Sequence, residues 1–199
     1  MSGTNGVTDP SLPALAADVV RVLRDRDQTL ATAESLTGGL VGATLTDVPG
    51  ASAVYRGGMI VYATELKAEL ARVSARTLAA DGPVAASTAG QLARGAATVC
   101  GADWGLATTG VAGPEPQDGH PVGQVFVSVA GPTSNGVTAG GRRGVVTDTD
   151  RWVEVRELAL TGDRSAIRDQ TTRAALLLLL RALGVQHPDG LSAPSSAEI

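Results

Sequence analysis

Cysteine is almost missing from this chain of 199 residues: Cys100 stands alone. That excludes an internal disulfide and suits a reducing, cytoplasmic setting. The expected place for Cys100 is the core, as a small hydrophobe. Aromatic side chains are equally scarce, 3% against 43% hydrophobic residues in all, so the core has to be built from Ala, Val and Leu. Histidine occurs only as His120, in a Gly-His-Pro loop, and His187, near the C-terminus. No His/Cys/Asp/Glu cluster has metal-ligand spacing, and neither a metal nor another cofactor is expected. The apolar run Ala174–Leu180, flanked by Arg173 and Arg181, is far too short for a membrane span and predicts a buried helix instead. Residues 1–10 lack the basic start and apolar centre of a signal peptide. A formal net charge of −4 argues against a nucleic-acid surface. Lysine is the scarcest charged residue: of sixteen Lys and Arg, only Lys67 is lysine. Arginine stays protonated at any useful pH, whereas a desolvated lysine can lose its proton and act as a base. Lys67 is either a chance survivor of codon bias or a group with a task.

What is present in quantity is glycine, 25 residues, and an alternation of helical and extended patterns. Residues 1–10 and 185–199 read as flexible ends around one domain, 11–184. Ser11 opens a helix carrying Leu15, Val19 and Leu23, and Thr29–Ala33 is a short strand. Thr37-Gly38-Gly39 opens a second helix that runs to about Thr46. Ala53–Tyr62 is extended, Thr64 caps a short helix containing Lys67, and helices follow near 74–80 and 85–99. Strands are expected at Asp103–Thr108, Gln124–Ala130 and Arg151–Leu160, with a hairpin in 131–150 and a last helix capped by Asp163. Strands interleaved with helices predict an α/β sandwich, and consecutive strands late in the chain predict a mixed sheet.

Four segments carry chemistry. Thr32–Gly39 is a strand–turn–helix in which Ser35 stands where free helix N–H groups can hold an anion or a developing oxyanion. The commoner fate of Ser35 or Thr37 there is simply to cap the helix. Lys67, with Tyr62 five residues earlier to relay or orient a proton, is a candidate base for Ser35. The loop Thr109-Gly110-Val111-Ala112-Gly113-Pro114 follows a strand and either admits a nucleotide or merely turns the chain. Arg164 and Arg168 lie at i and i+4 on one helix face. They suit an anion such as phosphate, or pair with Asp163 or Glu157.

Together these segments resemble the C-terminal domain of the CinA (competence/damage-inducible) family, whose stand-alone members are nicotinamide-nucleotide amidases. The likeness runs from about Leu15 to Leu183 through Thr32–Gly39, Thr46–Ser52, Gly57–Lys67, Thr109–Pro114 with Pro121-Val122-Gly123, and Gly162–Arg168. The resemblance implies a three-layer α/β/α sandwich with a mixed central sheet, and hydrolysis of nicotinamide mononucleotide to nicotinic acid mononucleotide and ammonia, a step of NAD salvage. It implies that Ser35 is the nucleophile and Lys67 its base, with Tyr62 assisting. Leu36, Thr37, Gly38, Gly39, Thr109, Gly110, Gly113, Arg164 and Arg168 are the expected substrate-binding residues, and a homodimer is the family-level expectation. The alternative is a catalytically silent nucleotide- or partner-binding domain tied to competence or DNA damage. Three departures from the family pattern stand out: Leu36 where many relatives have cysteine, Ala85 in place of a common serine, and Glu115-Pro116-Gln117-Asp118 in place of a more glycine-rich loop.

Overall fold

The computed structural model describes residues 10–133 and 151–185. Helix α1 (Leu12–Asp25) begins where Ser11 accepts a hydrogen bond from the Ala14 amide, and buries Leu15, Val19 and Leu23 along one stripe. Strand β1 (Leu30–Glu34) is buried at every residue, the mark of a strand covered on both faces. After α2 (Leu40–Thr46) and a 3₁₀ turn (Ala51–Ala53) come β2 (Tyr55–Ile60), α3 (Thr64–Glu69), α4 (Ala75–Asp81) and α5 (Ala86–Cys100). Strands β3 (Trp104–Gly110), β4 (Gln124–Pro132) and β5 (Arg151–Ala159) precede α6 (Arg164–Ala182).

The five strands form one sheet in the order β2-β1-β3-β4-β5. β1 runs parallel to both neighbours, whereas β3–β4 and β4–β5 are antiparallel. The sheet is therefore mixed, and the C-terminal ends of β1, β2 and β3 emerge at one edge, where ligands meet open α/β sheets. One face packs α1, α2 and α6 through Leu15, Val41, Leu45, Leu176 and Leu179. The other packs α5 against β1 and β3 through Ala31, Ala33, Ala93, Ala96 and Ala107. This is a three-layer α/β/α sandwich. Cys100 sits half-buried at the rim of the second cluster. No helix among the described residues is long and apolar enough to cross a membrane.

Several boundaries move from their expected places. Ala63, not Thr64, occupies the α3 cap position, with no side-chain bond. β3 continues through Thr109 and Gly110, held by pairing to Phe126 and Val125. Of the hairpin expected in 131–150, residues 134–150 lie outside the described residues; Gly131 and Pro132 extend β4 and pair with Trp152 and Arg151. The ends expected to be flexible fall almost wholly outside them too.

The alanine-rich face lets α5 come unusually close to the sheet. A Cβ on Gly105 would lie 1.9 Å from the Ala93 carbonyl oxygen, so nothing larger than hydrogen fits without moving the helix. On Gly90 of the same helix, a Cβ would meet only the Val153 side chain, at 3.3 Å, and that of Val155, at 3.6 Å. Gly105→Ala should therefore cost about 1–3 kcal/mol through overpacking. A thermal melt should read this as a midpoint lower by about 2–12 °C at this chain length, with Gly90→Ala close to wild type. Equal melts for the two variants would show that α5 does not rest on Gly105.

Candidate active site

The turn after β1 is held from several sides. The Ser35 amide donates to the Thr108 carbonyl at 3.0 Å, and the Gly38 amide donates back to the Ser35 carbonyl at 3.0 Å. The hydroxyls of Thr37 and Thr108 meet at 2.8 Å. The amides of Gly39 and Val41 donate to Glu34 Oε2 at 3.0 Å each, and that of Gly42 to Glu34 Oε1 at 2.8 Å. The α2 cap position belongs to Gly39, in the left-handed region at φ 95° with no side-chain bond, so neither Ser35 nor Thr37 caps the helix. The sequence-level expectation that Gly38 and Gly39 offer free N–H groups needs correction. Both amides have acceptors inside the protein, whereas the Leu36 amide, on a residue lining the cleft, meets none among the described residues.

Lys67 is 1% exposed. Val61 follows the exposed end of β2 and is itself buried, its amide bound to the Glu34 carbonyl at 2.8 Å. Helix α3 then folds Lys67 back toward the same point. Its Nζ lies 3.0 Å from Ser35 Oγ and 2.7 Å from the Val61 carbonyl oxygen. Burial pushes the Lys67 amine down to about 8, only partly opposed by the negative charge of Glu65. A buried amine facing a buried hydroxyl is not the surface remnant that codon bias would leave. Of the histidines, His120 has its Nδ1 2.9 Å from Gln124 Oε1 and does not line the cleft; His187 lies outside the described residues.

Tyr62 stands at the cleft mouth but apart from the dyad. The alternation Ile60 out, Val61 in, Tyr62 out leaves its ring 57% exposed. Its hydroxyl accepts from Arg164 Nη2 at 2.7 Å and bonds to neither Ser35 nor Lys67. The expected proton relay through Tyr62 is thus absent from this geometry. Arg164 also donates to the Gly113 carbonyl at 2.7 Å, so it spans the mouth from Tyr62 to the loop. Arg168 behaves differently from expectation. Its Nε and Nη2 donate to the carbonyls of Leu36 and Thr37 at 3.2 and 2.7 Å, and it does not reach the cleft lining. Asp163 pairs with neither arginine; it accepts from the Ala166 amide and caps α6.

The cleft encloses about 540 Å³, its open mouth included. Ser35, Leu36 and Lys67 line one side and Thr109, Gly110 and Gly113 the other. Thr109 presents no free hydroxyl, since its Oγ1 donates to the Pro83 carbonyl at 2.7 Å. Glu115 and Gln117, from the loop that departs from the family pattern, form part of the lip. Ala85 is the uncapped start of α5 and lies off the lining. Sequence reasoning missed two participants. The Val61 carbonyl leaves no trace in residue type. Glu34 does: an acid ending a strand five residues before a Gly39-led helix can reach back onto its first amides.

Comparisons with known proteins agree with this architecture. The model of the CinA C-terminal domain matches residues 12–141. A CinA-like protein of Frankia casuarinae is 44% identical over 182 residues, covering 92% of this chain and 37% of that protein. A CinA-like protein of Thermosynechococcus vestitus is 38% identical over 172 residues, covering 85% and 37%. The chain thus spans little more than a third of these relatives. Among solved structures, a CinA superfamily protein of Klebsiella pneumoniae superposes with a TM-score of 0.74 at 31% identity, over 88% of this chain and 99% of that one. The competence/damage inducible protein CihA of Agrobacterium tumefaciens gives 0.74 at 31% identity, over 92% and 99%. A family match across most of the described sheet, with near-complete coverage of solved relatives, leaves one conclusion: this chain belongs to the CinA C-terminal domain family.

Proposed function

We propose that the protein is an amidohydrolase that deamidates nicotinamide mononucleotide, with Ser35 as nucleophile and Lys67 as its base. The observation that carries this reading is the 3.0 Å contact between Lys67 Nζ and Ser35 Oγ inside a buried pocket. There the amine has lost much of its preference for the charged state. In the neutral form the hydrogen bond reverses, so that the Ser35 hydroxyl donates to the Nζ lone pair.

Ser35 Oγ attacks the carboxamide carbon while its proton passes to Lys67. The carbonyl oxygen becomes an oxyanion, to which the Leu36 amide, next to the nucleophile and on the cleft lining, donates. The intermediate collapses with cleavage of the C–N bond, Lys67 returns the proton, and ammonia departs. Water, deprotonated by Lys67, then attacks the acyl–Ser35 ester and releases the carboxylate product. Tyr62 takes no proton in this scheme and serves instead to orient Arg164. The Arg164 guanidinium keeps further N–H donors after its two bonds to the protein, and on this reading it binds the substrate phosphate.

Ser35→Ala should abolish ammonia release while leaving the melt unchanged, because no neighbouring side chain supplies another nucleophilic oxygen. More than a few per cent of wild-type turnover would end the assignment.

Lys67→Arg should be as inactive as Lys67→Ala, since a guanidinium keeps its proton. In the wild type, kcat/KM should rise with pH and level off above about 8, the value to which burial lowers the Lys67 amine. Because the chain has one lysine, carbon-13-lysine labelling gives a single side-chain signal whose titration must share that midpoint. A lysine titrating near its ordinary value of about 10.4, or an active arginine variant, would remove Lys67 from the base role.

The two arginines should separate. Arg164→Ala should lower kcat/KM on the mononucleotide by about ten- to a hundredfold, the worth of one charge-assisted hydrogen bond, and barely change the rate on the riboside. Arg168→Ala should affect both substrates alike, because it braces the turn. The opposite pattern would exchange their roles.

A further inference from the structure

Glu34 precedes the nucleophile and is 2% exposed, yet no cation pairs with it among the described residues. Its carboxylate turns forward over the Ser35 turn onto the first amides of α2. Oε2 accepts from Gly39 and Val41 at 3.0 Å, and Oε1 accepts from Gly42 at 2.8 Å. Thr32 Oγ1 lies 3.4 Å from Oε1 and 2.7 Å from the Tyr55 hydroxyl, which closes the site from the sheet side. The main chain of the same residue takes part as well. Its carbonyl accepts the Val61 amide, and the Val61 carbonyl accepts from Lys67 Nζ. One residue therefore touches both arms of the dyad, the serine turn through its side chain and the lysine's second anchor through its backbone.

Building on the proposed role of Ser35, we propose that Glu34 is a positioning residue that sets the nucleophile against Lys67. Its carboxylate closes the ring from Glu34 to Gly39 in which Ser35, Leu36, Thr37 and Gly38 are held. Removal leaves three amides without their acceptor and frees the turn from the helix.

The experiment uses the full chain with Glu34→Gln, which keeps the volume but replaces one acceptor oxygen by a donor, and Glu34→Ala, which empties the site. Three quantities are measured: kcat and KM on nicotinamide mononucleotide, the rate of Ser35 phosphonylation by a fluorophosphonate probe without substrate, and the thermal melt. Misplacement by about 1 Å costs on the order of a hundredfold in rate. Both variants should lose about that much in kcat and in phosphonylation, with KM nearly unchanged. Acetate, which matches the methylene and carboxylate vacated in Glu34→Ala, should restore at least a tenth of the loss in that variant, where chloride at equal ionic strength does not. If Glu34→Ala does not fold, Glu34→Gln decides by its kcat and probe rate at an unaltered melt. Wild-type rates in Glu34→Gln, or losses that follow KM and the melt and ignore acetate, overturn the proposal. A wild type that is phosphonylated but releases no ammonia defeats the amidase reading alone, and the probe rates still test Glu34. A wild type whose Ser35 is not phosphonylated overturns both.

Discussion

The burial of one amine is the constraint around which this protein is arranged. Lys67 is among the largest fully buried side chains in the fold, and its Nζ meets a hydroxyl and a carbonyl rather than a carboxylate. A charged ammonium without an anionic partner is unfavourable there, so the site holds the amine at the edge of neutrality. The same fact sets how stability depends on pH. Between about 8, the folded value, and the ordinary 10.5, the unfolded chain keeps a proton that the folded chain has released. Stability therefore rises with pH across that window, and below it the full cost of the buried charge is present. The Ser35–Lys67 contact and a local destabilisation are one feature.

Everything needed to hold that amine comes from three adjacent parallel strands and the segments that leave their C-terminal ends. β1 delivers Glu34 and Ser35, β2 delivers Val61 and then the Lys67 helix, and β3 ends at the loop forming the far wall. The antiparallel strands β4 and β5 lie on the other side of β3 and contribute nothing to the dyad. Arg168, from the last helix, ties the serine turn to the α6 layer. Each part of the turn thus has a partner in a different element, which is how a short stretch of small residues is kept in one conformation.

Much of this was legible in the sequence because it is local. Ser11 and Asp163 as caps come from short-range chemistry. The mixed sheet comes from the spacing of strands and helices. Ser35 at a strand–helix junction and Lys67 as the lone lysine were visible as candidates, although only the fold shows them within hydrogen-bonding distance. The features that were not legible depend on contacts distant in the chain or on backbone direction. Tyr62 and Lys67 are near in sequence, but the strand alternation ending in Val61 turns one outward and the other inward. Arg164 and Arg168 share a helix face, yet a single turn of rise separates a residue at the cleft mouth from one held on backbone carbonyls. Gly38 and Gly39 read as donors for an anion, whereas the Gly38 amide is taken by the Ser35 carbonyl and the Gly39 amide by Glu34, an acid whose spacing from the helix start was the signal to read.

The solitary lysine has a consequence for chemical labelling. All the other Lys and Arg positions are guanidinium groups, so the surface offers no side-chain amine to acylation, reductive alkylation or lysine-directed tagging. Such chemistry either finds no side chain to act on or enters the cleft and reaches the one amine there. For this protein, modification of a lysine side chain and disruption of the Ser35–Lys67 contact are a single event, and the stoichiometry of labelling at that side chain is a count of open clefts.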